Sequence, residues 1–293
     1  MKHSRLSSLP VTFAISAVCA VSMLQAAPPV IDDQKLIEEL IKVTGDSVGK
    51  EGVVTADDLA KKVKAVKGGT LKVDLAMPAN AAPAKADYDT LSKSVYLIDS
   101  VYKCGKCDEW HQGSTATAWC LSEDGLMVTN AHVFSNAKGA AMGVTNRDGQ
   151  IFQVSEVLGF DIAADVAVFR VKGSDMQALK VGETAGVGDP LTIISNPAGN
   201  LFVRTDGSVS RYSMRPGGPK LPKVPWMEVT ADYAIGSSGG PVFNAAGEVV
   251  GMVSSTRSIH TGGKGSASGQ KGDLQMVIKS CVPVDSIRAL FQK

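Results

Sequence analysis

The sequence carries no surplus of charge of either sign. Lys and Arg number 30 and Asp and Glu 29 over 293 residues, a formal net charge of +1. A chain so balanced has no bulk field for a polyanion or an anionic membrane surface, so nucleic acid is not an expected partner and any partner is recognised by a local site. Histidine is scarce, at four residues. With His3 at the extreme N-terminus, only His111, His132 and His260 remain for imidazole chemistry. After Leu24 no apolar run approaches the roughly 20 residues of a membrane helix, so no integral span is expected in the body of the protein.

What is present first is a short leader. Lys2 and Arg5 precede an apolar run from Val11 to Leu24 that ends in the small residues Ala26 and Ala27. That is the pattern of a secretory signal peptide over residues 1–26, and it implies an exported protein, periplasmic or extracellular. Val18 precedes Cys19 where a lipoprotein leader carries a small residue, so lipid anchoring is not expected. Export changes the reading of Cys104, Cys107, Cys120 and Cys281, which then lie in a compartment that permits disulfides.

Residues 27–75 read as a small helical hairpin. IDDQKLIEELIKV places Leu36, Ile37, Leu40 and Ile41 on one helix face, with Asp32 or Asp33 as cap and Gly45 as stop. TADDLAKKVKAVKGG predicts a second helix, capped by Thr55, lined by Leu59, Val63 and Val66, and ended by Gly68 and Gly69. The connecting SVGKEGVVTADDL has the outline of a calcium loop, but Ser47 and Gly49 fall where carboxylates are needed, so a plain helix-turn-helix is expected. Residues 76–90, rich in Ala and Pro, read as a linker.

From residue 91 the texture changes to short β-branched runs between glycine turns, among them SVYLIDSVY, TATAWCL, ADVAVFRV, DPLTIIS and GEVVGMVSS. Such a series argues an all-β sandwich or barrel, with VDSIRALFQK as a closing helix.

The chemistry sits in three separate stretches. In YAIGSSGGPVF a small hydroxyl lies among Gly236, Ser237, Ser238, Gly239 and Gly240, where backbone N–H groups can turn toward one point because no Cβ blocks the dihedrals. A serine becomes a nucleophile only when a base takes its proton and donors stabilise the resulting oxyanion. His132 in VTNAHVF is a candidate base, and Asp165 at the start of the apolar strand ADVAVFRV is a carboxylate whose charge needs a partner.

The order His132, Asp165, Ser238 in TNAHV, DVAVFRV and GSSGGPVF resembles the trypsin-like serine peptidases, closest to the bacterial HtrA/Deg type. ISNPAGN, DGSVSRY, GEVVGMVSS and VPVDSI are similar to further segments of that type, so the resemblance covers about Ser94 to the C-terminus. It implies a double six-stranded β-barrel with a cleft between barrels. There Ser238 attacks the peptide carbonyl, His132 serves as base and then acid, Asp165 orients the imidazole, and the N–H groups of Gly236 and Ser238 form the oxyanion hole. It further implies that Ser254 supports Asp165, that the backbone of Ser254, Ser255 and Thr256 pairs with an extended substrate, and that Asp232 is a possible base for the primary specificity pocket. The expected partners are protein or peptide substrates, with oligomerisation open and no cofactor needed. The rival reading is a non-catalytic peptide-binding protein on the same fold.

Three departures qualify the resemblance. Ser237 stands where digestive members carry an acid that pairs with a newly released N-terminus, so loop packing, substrate or another chain must order the oxyanion hole. No PDZ module is expected after the peptidase domain, and the N-terminal helices are candidates for a pro-segment, an oligomerisation arm or a tether. CGKCDEWH offers Cys104, Cys107 and His111, but no fourth metal ligand is evident and thiols oxidise outside the cytoplasm, so a local disulfide between Cys104 and Cys107 is expected and a metal is not. RYSMRPGGPKLPKVPW and TRSIHTGGKGSASGQKG read as long Gly/Pro-rich loops near the active face, the second carrying His260 as a solvated residue.

Overall fold

The alternating apolar runs close into two barrels. In the computed structural model, which describes residues 30–78, 86–218, 220–261 and 272–292, the first ring is formed by Val95–Lys103, Ala116–Ser122, Leu126–Thr129, Val166–Val171, Ile151–Asp161 and Ala141–Asn146. Ile151–Asp161 pairs with Val166–Val171 on one side and Ala141–Asn146 on the other, which completes the ring. The second barrel is closed by Pro190–Ser195, Val203–Pro216, Lys223–Val229, Leu274–Pro283, Val249–His260 and Pro241–Phe243. The leader, residues 1–26, and residues 79–85 of the predicted linker lie outside the described residues.

The helices at the N-terminus form where their caps predict. Asp32 accepts from the Lys35 N–H at 3.1 Å and opens Asp33–Ser47; Thr55 accepts from the Asp58 N–H at 3.0 Å and opens Ala56–Ala65. Gly45 does not stop the first helix. A Cβ there would fall 2.2 Å from the Trp110 ring, so the glycine is a contact point where helix backbone meets a first-barrel hairpin. Nor do the helices form a hairpin packed on itself. Leu36 and Leu40 join one buried cluster with Leu97 and Val95, whereas Ala56, Leu59, Ala60 and Val63 join another with Phe134, Phe160 and Val144. Each apolar stripe packs on the barrel, and the described residues from Ile31 onward belong to one compact unit.

This has a measurable consequence. Leu40 is 1% exposed, and Leu40→Ala is expected to lower unfolding free energy by about 2–5 kcal/mol, the range for a buried leucine whose site collapses incompletely. A denaturant midpoint shift at unchanged slope would report it. A detachable arm or tether predicts a shift near zero.

Other differences are local. Tyr88–Leu91, expected as the end of the linker, is a helical turn belonging to the body: Leu91 is buried and the Tyr88 hydroxyl donates to the Phe202 carbonyl at 2.8 Å. The closing helix is short, Val284–Arg288. Phe291–Gln292 leaves it to pair in parallel with Val73–Ala76, which lets Leu290 and Phe291 stay buried. RYSMRPGGPKLPKVPW is largely a hairpin rather than a loop, with Ser213↔Trp226 and Arg215↔Val224 paired.

Candidate functional site

Asp165 is held in a conformation that few side chains adopt. Its φ is +56°, in the left-handed region that aspartate tolerates better than most. The Asn130 amide donates to its carbonyl at 2.8 Å and fixes the peptide, while three donors converge on the carboxylate. The His132 N–H reaches Oδ1 at 3.1 Å, His132 Nδ1 lies 2.9 Å from Oδ2, and the Ser254 hydroxyl donates to Oδ2 at 2.5 Å. The strained backbone at Asp165 is thus held in place by the bonds that surround it.

His132 sits in the short helix Ala131–Ser135. Burial of its ring disfavours the charged form, but the hydrogen bond and charge of Asp165 outweigh this and leave its pKa raised above the ordinary imidazole value. An imidazole clasped through Nδ1 keeps Nε2 free to take a proton.

The nucleophile turn docks on the first barrel through Thr117. The Thr117 N–H donates to the Ser238 carbonyl at 2.7 Å and its hydroxyl donates to the Gly236 carbonyl at 2.9 Å. The same hydroxyl accepts from the Asn196 N–H and side-chain amide, each at 3.1 Å, which uses its whole hydrogen-bonding capacity. Ala198 adds a bond from its N–H to the Ile235 carbonyl at 2.6 Å. Ser237, fully buried, points away from the cleft and accepts from the Ser195 hydroxyl at 3.0 Å. A neutral hydroxyl pair thus occupies the position where a charged acid was missing, and loop packing is what holds the turn. Gly236 has φ +92°, and a Cβ on it would lie 2.4 Å from the Asn196 carbonyl oxygen. Among the described residues, neither the Gly236 nor the Ser238 N–H donates within the chain, so both are free for a ligand oxygen.

Ser238 stands next to this network without completing it. Its hydroxyl donates to the Ser254 carbonyl at 3.3 Å, and no hydrogen bond to His132 is formed among the described residues. Ser254 therefore touches both ends of the predicted set, Asp165 through its hydroxyl and Ser238 through its carbonyl. A cleft of about 550 Å³ is lined by His132, Asp165, Ser254 and Ser255 on one side and by Arg215 and Trp226 on the other. The hairpin carrying Arg215 packs closely against Ala163, where a Cβ on Gly217 would meet the carbonyl oxygen at 2.2 Å. Pro241–Phe243 pairs with Val249–His260 only as far as Met252, so Ser254, Ser255 and Thr256 have no strand on that side.

Two expectations are corrected. Asp232 does not line the cleft: its side chain is 84% exposed and pairs with Lys279, so it cannot form the floor of a pocket for basic residues. The residue that reaches inward is its neighbour Tyr233, whose hydroxyl lies 3.0 Å from both the Ser255 and Ser280 carbonyl oxygens. Cys104 and Cys107 are not joined by a disulfide; their sulfurs are 3.4 Å apart, against about 2.05 Å for the bond. They directly follow the first barrel strand, Val95–Lys103. The Lys106 N–H and the Cys107 thiol draw the exposed Cys104 thiol down to about 7. Cys120 and Cys281 are buried free thiols, each pushed up to about 12 by burial. His260 ends its strand and bonds the Gly272 carbonyl at 2.9 Å. Ser195, Thr117 and Tyr233 were not singled out from sequence, because a hydroxyl in an ordinary strand or turn carries no local signal.

Two barrels hold a histidine–aspartate pair in the cleft, with Ser238 in its glycine-rich turn beside it. Residues 116–252 match the family model of the trypsin-like peptidase domain. The chain is 34% identical over 155 residues to serine protease HhoB of Synechocystis sp., a match covering 51% of this chain and 36% of that protein. It is 33% identical over 144 residues to a DegP-like periplasmic serine endoprotease of Pseudomonas fluorescens, covering 47% and 29%. The matched stretches thus span well under two thirds of those relatives. Among solved structures, an HtrA-type protease with decapeptide aligns at TM-score 0.52 and 21% identity, over 66% of this chain and 61% of that one. The serine endoprotease from Yersinia pestis aligns at 0.51 and 19% identity, over 71% and 66%. At such identities these two support the fold. Among the described residues no helix is long and apolar enough to cross a membrane.

Proposed function

We propose that this chain is an exported serine endopeptidase that cleaves extended or unfolded protein segments. The observation that carries the reading is the double role of Ser254, which ties the clasped His132–Asp165 pair to the nucleophile turn. The leader sequence and the periplasmic relative support export.

A substrate strand adds to the open edge at Ser254–Thr256, so backbone hydrogen bonds supply affinity with little sequence demand. The Ser238 hydroxyl leaves the Ser254 carbonyl, loses its proton to His132 Nε2 and forms a bond to the substrate carbonyl carbon. The carbonyl π pair becomes the oxyanion, held by the Gly236 and Ser238 N–H groups, each worth about 3 kcal/mol in comparable sites. The imidazolium, stabilised by Asp165, returns the proton to the leaving amine as the C–N bond breaks. Water then attacks the acyl-enzyme by the reverse proton path and frees Ser238.

Tyr233, reaching from the nucleophile turn to the Ser255 and Ser280 carbonyls, narrows the space beside Ser238 and favours small aliphatic residues before the scissile bond. Incubating the mature protein with unfolded casein and sequencing the new ends tests both statements. Cleavage after Val, Ala or Thr is expected. Ends only after Lys or Arg would contradict the Tyr233 reading, and casein bound but uncut would favour the non-catalytic alternative.

A further inference from the structure

At the end of the first barrel strand, a hairpin collects two thiols and an imidazole. Val95–Lys103 pairs with Trp110–Gln112 through Tyr102↔His111 and Lys103↔Trp110, leaving Cys104 to Glu109 as the connection. Gly105 turns the chain at φ +73°, and the Lys106 N–H then points at the Cys104 sulfur, 3.4 Å away. The Cys107 sulfur lies 3.4 Å from that of Cys104 and 3.0 Å from His111 Nε2, and all three ligand atoms fall within 4.8 Å of one another.

The tip is braced on three sides. Lys103 reaches the Asp108 carbonyl and sits 4.4 Å over the Trp110 ring; Trp110 meets Gly45 of the first helix; the His111 ring stacks at 5.5 Å on Tyr102. Gln112, the next residue, donates to the buried Asp99 carboxylate at 2.7 Å. The three ligands are therefore preorganised rather than scattered on a mobile loop.

We propose that Cys104, Cys107 and His111 bind one zinc ion, with the fourth position open to water or to a ligand from another molecule. Two sulfurs and an imidazole select a borderline-soft ion over magnesium or calcium. Tetrahedral zinc, with Zn–S near 2.3 Å and Zn–N near 2.0–2.1 Å, needs its donors about 3.5–3.8 Å apart. The Cys104–Cys107 and Cys107–His111 separations open to that value by about half an ångström or less, and the Cys104–His111 separation is within 4.8 Å, an adjustment within the reach of exposed side chains. Three protein ligands suffice where the fourth position is left open, and Cys₂His is one of the known sets. The backbone N–H on the Cys104 sulfur favours its thiolate, as outer contacts do at metal sites. Binding expels the thiol protons, so uptake releases acid. The absence of a fourth protein ligand, which argued against metal in the sequence alone, becomes a statement about the open position.

The test uses the full mature chain, reduced by a phosphine and freed of metal, with Co²⁺ as the optical probe. One Co²⁺ per chain is expected, with thiolate-to-metal absorption in the near ultraviolet and the visible bands of a four-coordinate ion, both erased by one equivalent of Zn²⁺. Cys104→Ser and Cys107→Ser should each weaken binding by at least about 100-fold, and His111→Ala by at least about 10-fold, since even outer contacts at metal sites are worth that much. Cys120→Ser, in the core, should leave the titration unchanged. Circular dichroism keeps the variants comparable. A folded, fully reduced chain that shows no thiolate-to-cobalt band, or that binds as well with Cys107→Ser, overturns the proposal.

Discussion

Alanine in place of Ser238 is expected to lower turnover by about 10⁶-fold while KM for an extended peptide changes little, the pattern left when a nucleophile is removed from an intact binding edge. Only Ser238 has the surroundings for the role. Its neighbour Ser237 is fully buried and hydrogen-bonded to Ser195, so it has no access to a carbonyl in the cleft. The strand edge at Ser254–Thr256 and the two free N–H groups survive the substitution, and such elements alone leave about 10³–10⁴-fold catalysis over water in comparable enzymes. Single-turnover kinetics with a fluorogenic peptide distinguishes this from lost binding. Turnover within tenfold of wild type would exclude Ser238 as nucleophile.

Asparagine at position 165 should reduce kcat by about 10⁴-fold near neutral pH. The argument lies in the donors. The His132 N–H, His132 Nδ1 and the Ser254 hydroxyl all aim at the carboxylate, and an amide offers one acceptor and one donor in its place. An amide N–H facing Nδ1 forces the proton to Nε2, the wrong tautomer for a base. The pH profile should move too. In the wild type the acid limb of kcat/KM reports the His132 pKa, raised above the usual 6.5 because Asp165 outweighs ring burial. Without the carboxylate that limb falls to lower pH. Stability follows the same linkage. A raised folded pKa stabilises fully below the unfolded value near 6.5 and fades as pH rises through the folded one, so the stability deficit of Asp165→Asn should be larger below about pH 6 than at pH above the folded value. A deficit independent of pH would contradict the ion pair.

Much of this was legible in the chain because the signals are local. Asp32 and Thr55 cap helices through their own side chains, and period-two runs close into barrels whatever their neighbours are. The order of His132, Asp165 and Ser238 was visible for the same reason: each stands in a short stretch of distinctive composition. What escaped depends on meetings between distant segments. Gly45 looks like a helix stop, yet the helix continues because Trp110, far along the chain, needs the space a side chain would fill. Pro225 lies in a stretch that reads as a loop, yet it joins a strand whose residues before Met227 are paired on one side only, where a missing N–H is tolerated. Asp232 had the right sequence distance from the nucleophile for a pocket base, but Lys279 of the neighbouring strand draws it outward, and Tyr233 takes the inward position. Cys104 and Cys107 read as a disulfide because CGKCDEWH shows no fourth ligand beside His111; what the sequence does not show is that the hairpin brings the His111 ring to 3.0 Å from the Cys107 sulfur.

The central claim is that Ser238, activated by the His132–Asp165 pair, attacks an acyl carbon in this cleft. Mass-mapped labelling with a fluorophosphonate tests it most directly. The account predicts one adduct per chain, on Ser238, lost in His132→Ala; a folded chain that stays unlabelled, or one labelled on another serine, would contradict it.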